Sequence, residues 1–418
     1  MTEVLPSSQL GTDTGTHRSP TAPRSRHVPR PVGFWIVAFT TAAMLAASSA
    51  PSPLYAVYQQ RFGFSASTLT VVFAVYVIAL LATLLTVGRL SDHIGRRPVL
   101  AGALLLEAAS MAVFVGASGT AWLLAARIVQ GVATGAAVAV LGAYLLDLQP
   151  ADGSRLGSLV NSIAPTGGLA AGAVGAGVLV QFGPDPSQFV FWLLGALFLV
   201  LAAVVVALPE SVRRTPGALA SLRPRVSVPR SARAPFLRAT PVMIASWALG
   251  GMVLSLGGSV LAGVFGLTNH AEVGLIIALL PAAGALGAFL LRDVAPVPMT
   301  RIGTVALVIG AALVFVSLAT STLWLFVVAA IVAGSGFGVG FLGALREVTQ
   351  LAEPHERAGL LSAVYVVSYL GFSIPAVVGG VLVTHLGLLH TALGYAAFVG
   401  VVAAATLVGA IVTRRSAH

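Results

Sequence analysis

The sequence is poor in charged residues and contains neither cysteine nor lysine. Only 9% of its 418 residues are charged, whereas 57% are hydrophobic. Soluble domains carry about 25% charged residues, so this chain lacks the polar side chains needed to cover a water-facing surface. The absence of cysteine excludes disulfide bonds. The composition predicts a polytopic membrane protein whose helices contact a lipid bilayer.

The sequence also lacks the short motifs of common enzymes and of nucleic-acid-binding proteins. It contains no His-Glu-x-x-His, no Ser/His pair in a catalytic pattern and no nucleotide-binding loop. Neither zinc-ligand spacing nor an RNA-recognition motif accompanies the formal net charge of +10. We therefore expect no cofactor, no metal, no nucleic-acid partner and no enzymatic activity.

Long hydrophobic runs divide the chain into twelve candidate spans, each close to the roughly 20 residues that cross a bilayer. Residues 1–31 are rich in Ser, Thr, Pro and Arg and predict a disordered cytoplasmic tail. The first span has its core at 33–54, which is longer than the about 7–15 apolar residues of a signal peptide. Further spans are predicted near 66–88, 98–116, 121–147, 156–181, 188–209, 241–266 and 273–291, and the runs 302–345 and 358–413 each divide into two.

The spans fall into two groups of six. The segment 211–240 interrupts them with seven arginines and four prolines. We predict an N-terminal six-helix bundle, a cytoplasmic central loop, a C-terminal six-helix bundle and a short cytoplasmic tail. Their boundaries are 32–210, 211–240, 241–413 and 414–418.

The arginines lie almost entirely on one side of the predicted membrane. With twelve spans, both ends of the chain share a side, and 21 of the 23 arginines fall there. The exceptions are Arg61, on the other side, and Arg127, inside the fourth span. Positive residues concentrate in cytoplasmic loops. We therefore expect a plasma-membrane protein with both termini in the cytoplasm.

A faint internal repeat relates the two groups of spans. The pattern Ile-Val-x-Gly-x-x-x-Gly occurs at 128–135 and again at 331–338, an offset of 203 residues. Gly-Val-Leu-Val occurs at 177–180 and 380–383 with the same offset. Repeats of this kind are typical of transporters whose binding site lies between two similar halves.

A dense cluster of charge joins the second and third spans at residues 88–97. Its sequence is Gly-Arg-Leu-Ser-Asp-His-Ile-Gly-Arg-Arg, and it resembles the signature loop of the major facilitator superfamily, Gly-x-Leu-x-Asp-x-x-Gly-Arg-Arg/Lys. The matching residues include Gly88, Asp92, Gly95, Arg96 and Arg97.

This resemblance implies an all-α polytopic membrane protein of twelve transmembrane helices in two pseudo-symmetric six-helix bundles. It also implies a conformational latch, in which an acid at the end of the fourth helix pairs with the loop. Asp147 has that position here. The second copy of the loop in the family corresponds to 291–296, where the motif is degraded, and we do not expect that copy to act as a latch.

Two charged residues fall inside predicted spans. Arg127 belongs to Arg-Ile-Val-Gln-Gly and, with Gln130, resembles the Arg-x-x-Gln-Gly motif that is tied to proton coupling in proton-driven members of the family. Glu107 is the one acid well inside a span, and such residues are functional candidates because burying charge in lipid is costly. The alternatives are an arginine that reaches the outer interface, and a glutamate that only forms a structural hydrogen bond.

Small residues and prolines in the fifth and eleventh spans predict helix pivots. Pro165 and Gly168 match the antiporter motif Gly-Pro-x-x-Gly-Gly, whereas Ala164 and Leu169 depart from it. Gly172 follows on the same span, and Pro375 has a related position. Proline bends a helix and glycine lets helices cross closely. Ordinary small-residue packing is the alternative.

The family's architecture implies a central cavity lined by helices 1, 2, 4, 5, 7, 8, 10 and 11. The polar and aromatic residues on those spans suit an amphipathic or apolar organic molecule better than a polyanion. The candidates are Ser48, Tyr55, Tyr76, Asn161, Trp247, Tyr365 and Tyr369.

The resemblance as a whole implies a monomeric secondary transporter that works by alternating access. We expect proton-coupled efflux of small hydrophobic organic compounds. An uptake symporter for a sugar, organic acid or other metabolite is the first alternative, and a membrane sensor or scaffold that transports nothing is a second. The first span contains no acid, although many drug–proton antiporters have one there.

Overall fold

A computed structural model describes residues 28–150, 156–353 and 355–415, with side chains described as far as 409. Within these residues, twelve helices are long and apolar enough to cross a membrane. We name them α1 to α12. The first six are Arg30–Ser49, Ala66–Val87, Arg96–Val115, Thr120–Leu148, Leu156–Phe182 and Phe189–Val206. The last six are Arg233–Phe265, His270–Leu290, Pro296–Ala319, Leu323–Thr349, Arg357–Leu386 and Leu388–Arg415.

The helices match the predicted spans closely, with two differences. The first helix ends at Ser49, and a separate short helix, Tyr55–Phe62, follows it. Two prolines, Pro51 and Pro53, lie between them and lack the N–H groups that a continuous helix needs. The seventh helix begins at Arg233 rather than at residue 241, because Pro241 bends the helix without ending it.

The central segment is correspondingly shorter than the predicted loop 211–240. It contains only a short helix, Ala218–Ser221, and a 3₁₀ turn, Arg230–Ala232. The predicted tail over 1–31 lies outside the described residues as far as residue 27, and so does the end of the second tail, 416–418.

Successive helices alternate direction, so the bundle has two sides. We call the side with the N-terminus of α1 and the 88–97 loop the arginine-rich side, and the other the opposite side. The protein is an all-α polytopic membrane protein with two pseudo-symmetric six-helix bundles. The halves are α1–α6 and α7–α12.

The internal repeat marks equivalent helix contacts in the two halves. Gly131 and Gly135 of α4 lie against the backbone of α2, where a Cβ at either position would collide with a carbonyl group. Gly334 and Gly338 of α10 lie in the same way against α8. The repeated glycines therefore allow the close approach of α4 to α2 and of α10 to α8.

The halves meet at the opposite side through a second repeated pair of glycines. Gly177 of α5 contacts Gly274 of α8, and Gly380 of α11 contacts Thr70 of α2. Gly177 and Gly380 begin the two Gly-Val-Leu-Val repeats. The Gln181 side-chain oxygen accepts the His270 backbone N–H at 2.9 Å. The bundle is therefore closed at the opposite side.

Candidate functional site

The 88–97 loop turns sharply into α3 at Gly95. This residue has φ = +104°, a conformation that side chains other than glycine's rarely adopt. A Cβ here would also collide with the Glu210 carboxylate. That carboxylate accepts the backbone N–H groups of Arg96 and Arg97 at 2.8 and 3.1 Å. Glu210 therefore satisfies the first free N–H groups of α3 with an anion, the charge that a helix N-terminus favours.

Arg96 is buried and holds the loop together from within. Its Nη1 donates to Asp92 at 2.5 Å and to Ser91 at 2.6 Å. Its Nε donates to Asp147 at 3.2 Å. The structure thus brings the loop into contact with the acid at the end of α4, as the family resemblance implies.

The remaining latch candidates also have their partners in the N-terminal half. Arg97 donates through Nη2 to the Val206 carbonyl at the end of α6. The Asp147 carboxylate accepts the Ser211 hydroxyl at 2.7 Å, and its backbone carbonyl accepts Arg30 at 2.6 Å. Gly88 ends α2. This network, which we call the loop network, ties the ends of α1, α3, α4 and α6 together.

Arg127 is fully buried, which rules out the alternative of a side chain at the lipid–water interface. Its Nη1 donates to the Gln130 side-chain oxygen at 2.6 Å and to the Ser48 carbonyl at 3.2 Å. Its Nε donates to the Tyr55 hydroxyl at 3.0 Å, and Nη2 reaches the same oxygen. The guanidinium carbon lies 4.9 Å from the centre of the Tyr76 ring, a cation–π contact.

Glu107 belongs to the same cluster but forms no ion pair with Arg127. Gln130 lies between them, because its amide nitrogen donates to Glu107 Oε1 at 3.0 Å while its amide oxygen accepts Arg127. Thr134 donates to Glu107 Oε2 at 3.5 Å. An Arg127–Gln130–Glu107 chain, which we call the buried chain, therefore connects the two charged residues.

Three predicted cavity residues belong to this cluster and do not line an open cavity. Ser48, Tyr55 and Tyr76 are buried, and the Tyr76 hydroxyl donates to Ser48 Oγ at 2.8 Å. In this conformation they pack around the Arg127 guanidinium, and their place in a substrate cavity stays a prediction.

The other aromatic candidates form a cluster in the C-terminal half. The Trp247 ring centre lies 4.9 Å from that of Tyr369, and the Tyr365 and Tyr369 rings stack at 6.1 Å. Phe372 packs against Trp247 at 5.5 Å and against Phe73 of the N-terminal half at 5.0 Å. Within the described residues, the hydroxyls of Tyr365 and Tyr369 form no hydrogen bond. The aromatic cluster therefore spans the junction between the halves.

Asn161 lies apart from both clusters. It is exposed on α5, with its amide beside Gly142 of α4. The charged residues of the C-terminal half lie within about two turns of helix ends. The buried chain is thus confined to the N-terminal half, and the aromatic cluster lies mainly in the other.

The predicted pivots pack inside the halves. Pro165 lies within α5, and Gly168 and Gly172 contact the backbone of α1 at Ala42 and Ala46. Pro375 lies within α11. The glycines that touch the other half, Gly177 and Gly380, lie nearer the opposite side than the predicted pivots.

A family model described as Major Facilitator Superfamily matches residues 37–297, more than half of the chain. The chain belongs to this superfamily. Membership accounts for the twelve-helix fold.

Curated relatives of this protein match it over only part of their length. It is 34% identical over 155 residues to multidrug resistance protein MdtL of Shewanella oneidensis, covering 36% of this chain and 38% of that protein. It is 31% identical over 130 residues to the MdtL protein of another Shewanella strain, covering 31% and 33%. The chain thus spans less than two fifths of the length of the curated relatives it matches.

Solved structures share the fold over nearly the whole chain. A bacterial homologue of the human lysosomal transporter Spinster, in an inward-facing and unoccupied conformation, has a TM-score of 0.72 at 14% identity and covers 93% of this chain and 98% of its own. The nucleoside transporter NupG has a TM-score of 0.67 at 16% identity and covers 91% and 99%.

The sequence analysis did not identify Glu210, an acid that binds the 88–97 loop. Glu210 follows Pro209 at the end of the sixth span, and it is the acid that binds the start of α3. The available signal was its location, since it ends on the same side of the membrane as the 88–97 loop.

Proposed function

We propose that this transporter exports small hydrophobic organic compounds across the cytoplasmic membrane in exchange for protons. The observation that carries the proposal is the buried chain, in which a carboxyl group and a guanidinium lie inside the spans, bridged by one amide. Intramembrane charges of this kind mark ion pathways in membrane proteins. The partial similarity to proteins named for multidrug resistance supports export.

Glu107 is the residue that binds and releases the proton. Without its proton, the carboxylate is stabilised by the hydrogen bonds from Gln130 and Thr134. With its proton, the carboxyl group gains an O–H donor and becomes a weaker acceptor for the Gln130 N–H, so we expect the Gln130 side chain to shift. Because the Gln130 oxygen also accepts Arg127, this adjustment reaches the guanidinium, whose own proton does not exchange near neutral pH.

The substrate binds between the halves, against the aromatic cluster. Trp247, Tyr365 and Tyr369 present large apolar faces with polar edges, a combination that suits amphipathic organic molecules. The Trp247 indole N–H is buried and has no hydrogen-bond partner within the described residues. It is available to an acceptor atom of the substrate.

Alternating access follows from the two-halved architecture. With both termini in the cytoplasm, the closed opposite side is the outer side, and this structure is the inward-facing state. The halves then rock to open the outer side, and the 88–97 loop latches the cytoplasmic side in that outward-facing state. The protein works as a monomer in the bilayer.

The test is transport in inside-out membrane vesicles with an imposed pH gradient. Dye-like hydrophobic compounds are expected to accumulate in vesicles that contain the wild type when the lumen is acidic. Glu107→Gln is expected to abolish the dependence on the gradient. Glu272→Gln is the matched control, because that glutamate is exposed at the end of α8.

The possible outcomes separate the alternatives. Movement of compound out of the vesicles, corresponding to uptake by the cell, would assign a symporter. Full dependence of Glu107→Gln on the gradient would place the coupling site elsewhere.

A further inference from the structure

The short helix Tyr55–Phe62 is too short to cross a membrane and lies at the opposite side, between α1 and α2. Its ends are turns rather than helix continuations. Pro51 and Pro53 precede it, and Gly63 ends it with φ = +67°. A helix bounded by such turns can change its position without disturbing the spans on either side.

One end of this helix holds the buried arginine. The Tyr55 hydroxyl accepts Arg127 Nε at 3.0 Å and also receives Nη2, and the Ser48 carbonyl accepts Nη1. No carboxylate pairs with Arg127 among the described residues. Its charge is therefore satisfied by neutral acceptors, of which Tyr55 receives two of the four donated bonds. Removing acceptors from a buried charge is costly.

One turn later, the same helix reaches the other half of the protein. The Gln59 side-chain oxygen accepts the Ser259 hydroxyl of α7 at 3.2 Å. The Ser52 carbonyl, just before the helix, lies beside Gly258 of the same span. Movement of α7 away from the N-terminal half must break these contacts or carry the short helix with it.

The remaining polar residues of the helix bind within their own half. The Tyr58 hydroxyl donates to the Ser187 carbonyl at 3.2 Å, and Arg61 donates to the Ser187 hydroxyl at 2.9 Å. Gln60 is exposed. Tyr55 and Gln59 are thus the two residues that connect the buried chain to the contact between the halves.

We propose that the helix Tyr55–Phe62 is a lever that couples Arg127 to closure of the opposite side, with Tyr55 and Gln59 as its positioning residues. The inference rests on the proposed function only in taking the halves to rock. When the halves separate at this side, Gln59 loses Ser259 and the helix is free to draw Tyr55 from Arg127. Conversely, a change in the buried chain that releases Tyr55 weakens closure.

The first experiment measures the distance between spin labels at Ser118→Cys and Thr384→Cys, which are exposed on different halves at the opposite side. The natural chain has no cysteine, so only these sites react. The protein is studied in nanodiscs without substrate. Tyr55→Phe is expected to raise the ratio of open to closed molecules about tenfold, the effect of losing a hydrogen bond to a charged group.

Tyr58→Phe is the matched control, because it removes the same atom from the same helix, and the Tyr58 hydroxyl donates to Ser187 of its own half rather than to Arg127 or the other half. The ratio of open to closed molecules in the Tyr58→Phe variant is expected to stay within about twofold of the wild-type ratio. Equal distance distributions for Tyr55→Phe and the wild type, or equal shifts in the two variants, would overturn the proposal.

A second comparison keeps the test independent of any one variant. Gln59→Ala is expected to shift the ratio in the same direction as Tyr55→Phe, whereas Gln60→Ala is expected to leave it unchanged. In an Arg127→Gln background, Tyr55→Phe is expected to add nothing, since coupled residues are not additive. A full additional shift in that background would show that Tyr55 acts without Arg127.

These measurements require neither a transported compound nor a proton gradient. A failure of the efflux assay therefore leaves them interpretable. Conversely, normal export with an unshifted Tyr55→Phe distribution would refute the lever and keep the exporter.

Discussion

Individual side chains of the loop network set the geometry of the arginine-rich side. Arg96 binds two carboxylates and a hydroxyl, but these pairs differ in exposure: the Asp92 side chain is 53% exposed and that of Asp147 is 31% exposed. Exposed ion pairs contribute about 0–1 kcal/mol to stability. The Asp92 pair is therefore better suited to a role in conformational change than to holding the fold.

We expect Asp92→Asn to reduce transport several-fold while leaving the amount of protein in the membrane unchanged. The amide keeps the shape of the side chain but loses its charge toward Arg96. The matched control is Asp293→Asn, an exposed acid in the loop between α8 and α9 that pairs with Arg292 beside it. Wild-type turnover by a well-expressed Asp92→Asn protein would contradict the latch.

Glu210→Gln is expected to act on stability instead. The carboxylate accepts two N–H groups at the start of α3, and bonds to a charged acceptor contribute about 1.5–3 kcal/mol. We expect a lower midpoint of thermal unfolding in detergent, with Glu353→Gln, an exposed acid, close to the wild type. An unchanged midpoint of thermal unfolding for Glu210→Gln would mean that the charge of Glu210 at the start of α3 does not stabilise the protein.

At the scale of whole helices, glycines determine where the halves can touch. Gly177 and Gly380 occupy equivalent places on α5 and α11, and each lies against a helix of the other half. A side chain at either position has no room while the opposite side is closed. The Gly177 site therefore tests whether closure at this side depends on close backbone approach.

We expect Gly177→Val to shift the protein away from the closed arrangement, because the new side chain collides with the His270 carbonyl. Gly175→Val is the matched control, since no atom lies within 4 Å of a Cβ at that position two residues earlier on the same helix. The measurement is alkylation of cysteines introduced at the opposite side. Equal labelling of both variants would argue against a steric role for Gly177.

The sequence predicted these helices well because hydrophobic runs and glycine repeats are local or periodic signals. The offset of 203 residues indicated which helices are equivalent. It could not show that Tyr55 turns back onto Arg127, because a separate short helix after Pro51 and Pro53 leaves little trace in hydropathy. The same is true of Glu210, whose role depends on a contact 114 residues away in the chain.

At the scale of the whole molecule, charge distribution predicts the orientation. The basic residues of the central segment and of the 88–97 loop share a side with both ends of the described chain. We expect a fluorescent protein fused to either terminus to fluoresce in intact bacterial cells, because it folds only in the cytoplasm. Alkaline phosphatase fusions at the same sites are expected to be inactive, and activity from either one would reverse the topology.

The two halves of the molecule also differ in the groups of residues that they contain. The buried chain is confined to α3 and α4, while most of the aromatic cluster lies on α7 and α11. Neither group is reproduced by the pseudo-symmetry that relates the helices. The repeat therefore accounts for the scaffold but not for these two groups of residues.

The loop network has a mechanical consequence. Its hydrogen bonds join the ends of four helices, so those ends are not free to slide past one another. The residues that form these bonds are Arg30, Arg96, Asp147 and Glu210. When the halves rock, we expect the N-terminal half to rotate as one rigid body, so that a displacement of its arginine-rich end also moves its other end.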